Sequence, residues 1–167
     1  MFENIKKDYI NHNKEFLNVG FFAMVVYRFG RWRYGIKNKI IRKPLSFVYK
    51  LLYFNIKNHG IELPCEVILG GNFQIHHNGG IMVSGYTQFG NNCIIRNGVT
   101  IGAARIDKVE APTIGNNVNI GTGAKILGGI VIGNNVDIGA NAVVLKDIPN
   151  NCIAVGIPAR IIKKDKY

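Results

Sequence analysis

Two textures of apolar residues divide the chain near residue 60. Before it the spacing is helical: Phe16, Phe21, Met24 and Val25 suit one helical face, and Pro44 is suited to open a second helix through LSFVYKLLYFNIKN, closed by Gly60. Beyond Gly60 the period becomes six. Val83, Phe89, Ile95 and Ile101, then Ile114, Ile120, Ile126, Ile132, Ile138 and Val144, are all apolar. Four places after these leading positions stand Thr87, Cys93, Val99, Val118, Ala124, Ile130, Val136, Ala142 and Ile148, each small or branched, and only Arg105 breaks the row. A fixed short period is the mark of a solenoid.

The fourth residue after one lead lies two places before the next, so both face the same side of a short strand. Between them fall corners such as Gly90-Asn91-Asn92, Gly115-Asn116-Asn117, Gly133-Asn134-Asn135 and Gly128-Gly129. Glycine and asparagine accept the positive φ of a sharp corner. Flat strands joined by regular corners give a coiled prism with an aliphatic interior, each coil covering the one before it. A sandwich would space its turns more widely and is rejected. The gap from Ile101 to Ile114 is not a multiple of six, so the segment 102–113 (GAARIDKVEAPT) leaves the prism as a loop. An extruded loop in a regular solenoid is a place for function. The chain therefore divides into a basic helical segment, 1–60, and a mainly β solenoid, 61–167.

Charge sharpens this division. Of the net +11, residues 1–60 carry +9, and RFGRWRYGIKNKIIRK interleaves cations with aromatic and aliphatic residues. Such a segment either meets an anionic surface or is a solvated helical face. No nucleic-acid reader motif accompanies it, so a membrane surface is the partner to test, through Arg28, Arg31 and Arg33. The start of the chain is polar, and the uncharged stretch from Phe16 to Tyr27 is too short to span a bilayer. Cys65, Cys93 and Cys152 are widely spaced with no CxxC pair, which fits a reducing, cytoplasmic setting. No metal site is expected, because His76 and His77, adjacent on a strand, point to opposite faces. GTGAK at 121–125 lacks the full spacing of a phosphate loop.

The hexads, FQIHHNGGIMVSG, GVTIGA, IGTGAKILGGIVIG and the closing VGIPARII together resemble the hexapeptide-repeat acetyltransferases. Within them the resemblance is to the serine O-acetyltransferase branch, and most of all to the colanic-acid and capsule O-acetyltransferases. It is strong over residues 61–163 and looser through GFFAMVVYRFGRW. It implies a left-handed β-helix, acetyl-CoA as co-substrate, and homotrimers whose active sites lie between neighbouring prisms.

His77 falls on the leading register, six before Val83, and aligns with the family's catalytic histidine. Acetyl transfer to a hydroxyl needs a base that takes the hydroxyl proton, and imidazole titrates near neutrality. The resemblance places Glu62, fifteen residues earlier, where the serine enzymes carry the aspartate that orients that histidine. The alternative for Glu62 is a solvated carboxylate. His76 stands where those enzymes bind the acceptor with an aspartate, and Ala111-Pro112 replaces a His-Pro pair. Losing an amine-facing Asp and an anion-facing His favours a neutral sugar hydroxyl over a zwitterionic amino acid. For the donor, Gly102 and Ala103, Thr122 and Ala140 are small enough for close approach. Lys146 and Arg160 are candidates to meet the phosphates, or are solvent-facing charge.

The expected protein is thus a cytoplasmic acetyl-CoA:hydroxyl O-acetyltransferase, free or at the inner face of the membrane. It would act on a glycan or nucleotide- or lipid-linked sugar of exopolysaccharide, capsule or O-antigen synthesis. The alternatives are serine O-acetyltransferase of cysteine synthesis and a non-catalytic prism that organises partners. The basic helices are expected to cap the open end of the solenoid.

Overall fold

The structure is a computed structural model that describes residues 2–12, 14–105, 107 and 109–164. Three helices lead: α1 (Phe2–Asn11), α2 (Val19–Tyr34) and α3 (Lys39–Asn58). Asn18 caps α2 by accepting from the Phe21 amide at 3.1 Å, and Asn38 caps α3 by accepting from the Ile40 amide at 2.9 Å. These caps correct two expectations. Phe16 lies before α2 and is exposed, while α2 buries Gly20, Phe21, Ala23, Met24, Val26, Tyr27 and Gly30. Pro44 lies inside α3 rather than opening it, on the exposed side, where solvent can satisfy the carbonyl its missing amide leaves.

The first coil of the solenoid holds β1 (Ile61–Glu62), β2 (Ile68–Leu69) and β3 (Gln74–His76). The second holds β4 (Ile81–Val83), β5 (Gln88–Phe89) and β6 (Ile94–Arg96). The third holds β7 (Thr100–Gly102), β8 (Thr113–Ile114) and β9 (Asn119–Ile120), and the fourth β10 (Lys125–Leu127), β11 (Val131–Ile132) and β12 (Asp137–Ile138). The last holds β13 (Val143–Val144) and β14 (Cys152–Val155), which β15 (Arg160–Lys163) closes as an antiparallel hairpin.

The strands stack into three walls: β1-β4-β7-β10-β13, β2-β5-β8-β11 and β3-β6-β9-β12-β14-β15. Apart from the final hairpin every pairing is parallel. All ten leading residues of the hexads are buried, from Val83 at 5% exposure to Ile95 and Val144 at 0%. The prism is a parallel β-solenoid of about five turns, consistent with the left-handed β-helix expected from the hexads and their resemblance.

The corners explain the asparagines. Where the second wall turns into the third, Asn72, Asn92, Asn117, Asn135 and Asn151 all sit at φ between 55° and 60°. Their side-chain amides donate down the column, Asn72 to Asn92, Asn92 to Asn117, Asn117 to Asn135 and Asn135 to Asn151, at 2.8–3.0 Å. Asparagine takes the left-handed turn and bonds to the next coil at the same time.

The helices cap the end where β1, β2 and β3 lack a preceding coil. Tyr27 Oη donates to the Val67 carbonyl at 2.8 Å and accepts from the Leu69 amide at 3.3 Å. Tyr49 Oη accepts from the Cys65 amide at 3.1 Å. His12 Nε2 accepts from the Ile75 amide at 3.3 Å while its Nδ1–H donates to the Asp8 carbonyl at 2.7 Å. Side chains thus stand in for the missing neighbour strand along β2 and at β3, covering backbone groups that would otherwise be a template for aggregation. The close fit needs Gly20, where a Cβ would come within 2.6 Å of the Ile75 carbonyl oxygen.

Candidate active site

His77 does not occupy the leading register. Ile75 does: it is buried and pairs with Ile95, twenty residues on, whereas later coils repeat after eighteen, as from Ile126 to Val144. The two extra residues swell the corner between β3 and β4, and His77 stands at its start, exposed, at φ 62°. The hexad count backwards from Val83 missed this bulge. His77 is therefore not on a strand beside His76, and the opposite-faces argument against a shared ligand does not apply. Among the described residues no group of three or more His, Cys, Asp or Glu is placed to hold a metal ion.

A left-handed non-glycine residue costs on the order of 1–2 kcal/mol unless its side chain is asparagine-like. At this corner the strain displays an imidazole where the asparagine column elsewhere would suffice. Below it the corner continues as a tight stack: Gly98 donates its amide to the Gly79 carbonyl, Gly123 to that of Asn97, and Asn141 to that of Thr122, at 2.8–2.9 Å.

His76, the last residue of β3, has its Nε2–H on Gln74 Oε1 at 2.9 Å and lies beside Arg96 in the ladder. Burial first, then the positive charge of Arg96 and the neighbouring histidines His12 and His77, hold its imidazole below the ordinary 6.5. His76 and His77 line a cavity of about 130 Å³ with Ile75, His12, Asn11 and Asn18. The last three come from the amino-terminal helical segment, and sequence reasoning gave them no role; Asn11 Nδ2 is buried without a hydrogen-bond partner among the described residues. Their signal in the sequence was only polar residues, Asn11 and His12 together and Asn18 apart, near two helix ends.

Glu62 stands on β1, at the same end of the prism as His77. Gly60, two residues before Glu62, lies directly against Gly79 and Gly80 of the His77 corner, where a Cβ on Gly60 would come within 2.9 Å of both. The Glu62 carboxylate pairs with Lys57 Nζ at 3.1 Å. No hydrogen bond joins it to His77 among the described residues.

The expected loop leaves after β7 and returns at β8, with positions 106 and 108 outside the described residues. Arg105 in it pairs with Asp107 at 3.0 Å. Gly102 and Ala103 mark its departure, on the corner between the first and second walls. Lys146, exposed, falls on the same corner two coils later. Thr122 and Ala140 stack on the His77 corner instead, and Arg160 lies on β15. The six donor candidates therefore occupy different sides of one prism. Lys125 of GTGAK is occupied, its Nζ donating to the Gly98 carbonyl at 2.6 Å and to Thr100 Oγ1 at 3.0 Å.

Residues 111–146 match the bacterial transferase hexapeptide family of six repeats. An Escherichia coli K12 protein bearing the name of a colanic acid biosynthesis acetyltransferase, WcaB, is 36% identical over 134 residues, which cover 78% of this chain and 80% of that one. The chain belongs to the hexapeptide-repeat acetyltransferases, of the serine acetyltransferase-like kind. A serine acetyltransferase of Synechococcus elongatus is 40% identical over 86% of this chain, which spans only 57% of that relative's length. Among solved structures, serine acetyltransferase from Brucella abortus in complex with coenzyme A superposes with a TM-score of 0.78 at 29% identity. That match covers 98% of this chain and 66% of the other.

Proposed function

We propose that this chain is an acetyl-CoA-dependent O-acetyltransferase acting on a sugar hydroxyl of an exopolysaccharide, capsule or O-antigen unit, or of its lipid-linked precursor. The observation that carries the acceptor is the lining of the His76–His77 cavity. Asn11, Asn18 and His76 supply hydrogen-bonding groups, and among the described residues neither a carboxylate nor a lysine or arginine lines it. Such a surface suits the hydroxyls of a neutral sugar better than the paired charges of an amino acid. Ala111, where the serine enzymes resembled here carry histidine, supports the same reading.

His77 takes the acceptor's hydroxyl proton as oxygen attacks the acetyl carbon, and returns a proton to the departing sulfur. Acetyl-CoA supplies an activated thioester. Small side chains at Gly102, Ala103, Thr122 and Ala140 fit a pantetheine arm running close to the backbone. Lys146 and Arg160 would meet its phosphates, and backbone amides near Gly102 and Ala103 would face the developing negative charge. Glu62 orients His77 by exchanging Lys57 for the imidazole. Because the donor positions sit on separate corners, a groove that uses them all takes one wall from each of two prisms. That supports a homotrimer with sites between subunits.

Serine O-acetylation is the second reading, favoured by the 40% identity to the Synechococcus enzyme. Thiol release from acetyl-CoA with neutral sugars or with L-serine as acceptor separates the two. The protein is also proposed to work in the cytoplasm, in peripheral contact with the membrane where lipid-linked sugars are displayed; no helix among the described residues is long and apolar enough to cross a membrane.

A further inference from the structure

The three arginines that a membrane contact first suggests are turned to other work. Arg28 is held by Asp8, Nε to Oδ2 at 3.0 Å, with both side chains nearly buried. Arg33 lies over the Tyr49 ring at 4.6 Å and reaches Cys65 Sγ at 3.6 Å, and Arg31 Nη1 donates to the Cys65 carbonyl at 3.4 Å. Arg28 thus joins α2 to α1, and Arg31 and Arg33 bind α2 to the prism.

Cations with no ion pair among the described residues include Lys39, Arg42, Lys43 and Lys50 of α3. This helix packs Tyr49, Leu52, Tyr53 and Ile56 inward. Its other side is not the polar face a surface helix ordinarily shows. Ile40, Phe47, Leu51 and Phe54 are 83%, 64%, 55% and 65% exposed. At i, i+7, i+11 and i+14 they form a single stripe, about 21 Å long at the rise of an α-helix. Along one flank of the stripe run Lys39, Lys43 and Lys50. With Arg42, Ser46 and Phe47 they wall a cleft of about 390 Å³. No Asp or Glu occurs between Glu15 and Glu62.

We propose that the stripe of α3 is the seat of the protein on an anionic phospholipid surface. The helix lies in the plane of the interface, with Phe47, Leu51 and Phe54 among the acyl chains. Lys39, Lys43 and Lys50, with Arg42, gather lipid phosphates in the cleft beside Phe47. An apolar stripe bordered by cations with no acidic residue is the composition of an interfacial amphipathic helix. Charge also decides against a second copy as the occupant, since two such faces would bring like-charged rows together. This deepens the membrane contact of the proposed function and rests on that reading for its purpose, which is to hold the site beside lipid-linked acceptors.

Flotation of the full chain with phosphatidylcholine vesicles, with and without phosphatidylglycerol, tests the seat. Binding is expected only with the anionic lipid and is lost in high salt. Lys39→Gln/Lys43→Gln/Lys50→Gln weakens it about fivefold per lysine, on the order of a hundredfold together. Phe47→Ser/Leu51→Ser/Phe54→Ser abolishes it. All six residues are exposed, so the circular dichroism of both variants stays that of the parent. Equal binding by parent and variants, or none by the parent, overturns the proposal. So does a concentration-dependent mass that Leu51→Asp halves, which would make the stripe a contact between copies. His77-dependent thiol release with a soluble acceptor is measured on the same samples. If it persists without vesicle binding, the seat alone falls; if it is absent while vesicles bind, the catalytic reading falls.

Discussion

The Ile75 amide donates to His12 Nε2 across sixty-three residues of chain, at 3.3 Å. Ile75 is two residues before His77, so the bond that covers the outer edge of β3 also ties the helical cap to the candidate active-site corner. The second nitrogen of His12 lies on the Asp8 carbonyl at 2.7 Å, so both ring nitrogens are engaged.

Replacing His12 by leucine leaves that amide buried and unpaired. The expected cost is about 1–3 kcal/mol of unfolding free energy in urea. Hydrogen exchange at Ile75 accelerates in the native state, whereas exchange at Ile126, deep in the solenoid, keeps pace with global unfolding only. Unchanged exchange at Ile75 would show that the cap does not depend on this bond.

Tyr27 is a sharper case because one hydroxyl serves two backbone groups, the Val67 carbonyl and the Leu69 amide. Burial pushes its ionisation above the ordinary range, so it remains a neutral donor and acceptor. Tyr27→Phe keeps the ring and strands both partners. A loss of about 2–4 kcal/mol is expected, and a stability within error of the parent would mean that water fills the gap.

The asparagine column separates conformation from hydrogen bonding. At Asn117, φ is 55°, and its side chain bonds Asn92 above and Asn135 below. Asn117→Gly keeps the turn and loses exposed side-chain bonds, so the midpoint falls slightly. Asn117→Ala adds the left-handed penalty and falls about 1–2 kcal/mol further. Equal losses would assign the column's value to its bonds alone.

The solenoid was legible because six-residue periodicity leaves a physical trace at every coil: an aliphatic lead, a small partner and a corner that needs glycine or asparagine. What it could not reveal was the longer first coil. Counting back from Val83 placed His77 inside, while Ile75 was the residue that faced Ile95. A two-residue bulge leaves no mark when its flanks are themselves apolar or glycine. The helical cap was hidden for another reason: His12, Tyr27 and Tyr49 act through tertiary contacts with strand edges far along the chain. The charge of the helical segment was plain, but not which cations were free. Arg28 and Lys43 look alike in sequence, yet only Arg28 finds a buried carboxylate.

His76 offers a test by pH. Its folded-state imidazole binds protons less well than the unfolded one, because burial and then Arg96 disfavour the cation. Between its lowered native value and 6.5 the unfolded chain therefore carries more protons, and stability falls as the pH is lowered through that window. Proton NMR of the imidazole should place its midpoint below 6.5, and Arg96→Gln should move it partway up. A midpoint at or above 6.5 would contradict the environment described for this corner.

The central claim is that His77, displayed at a left-handed corner, is the base. His77→Asn is the variant that isolates it, since asparagine holds a similar φ at six other corners of this prism and cannot take the proton. The measurement is thiol release from acetyl-CoA with neutral sugar acceptors, beside L-serine, for the parent and this variant. The account predicts turnover with a sugar, little with serine, and a loss of roughly 10²–10⁴-fold in His77→Asn at unchanged thermal stability. Undiminished turnover in His77→Asn would contradict it, and rapid His77-dependent turnover with serine would transfer the site to the serine reading.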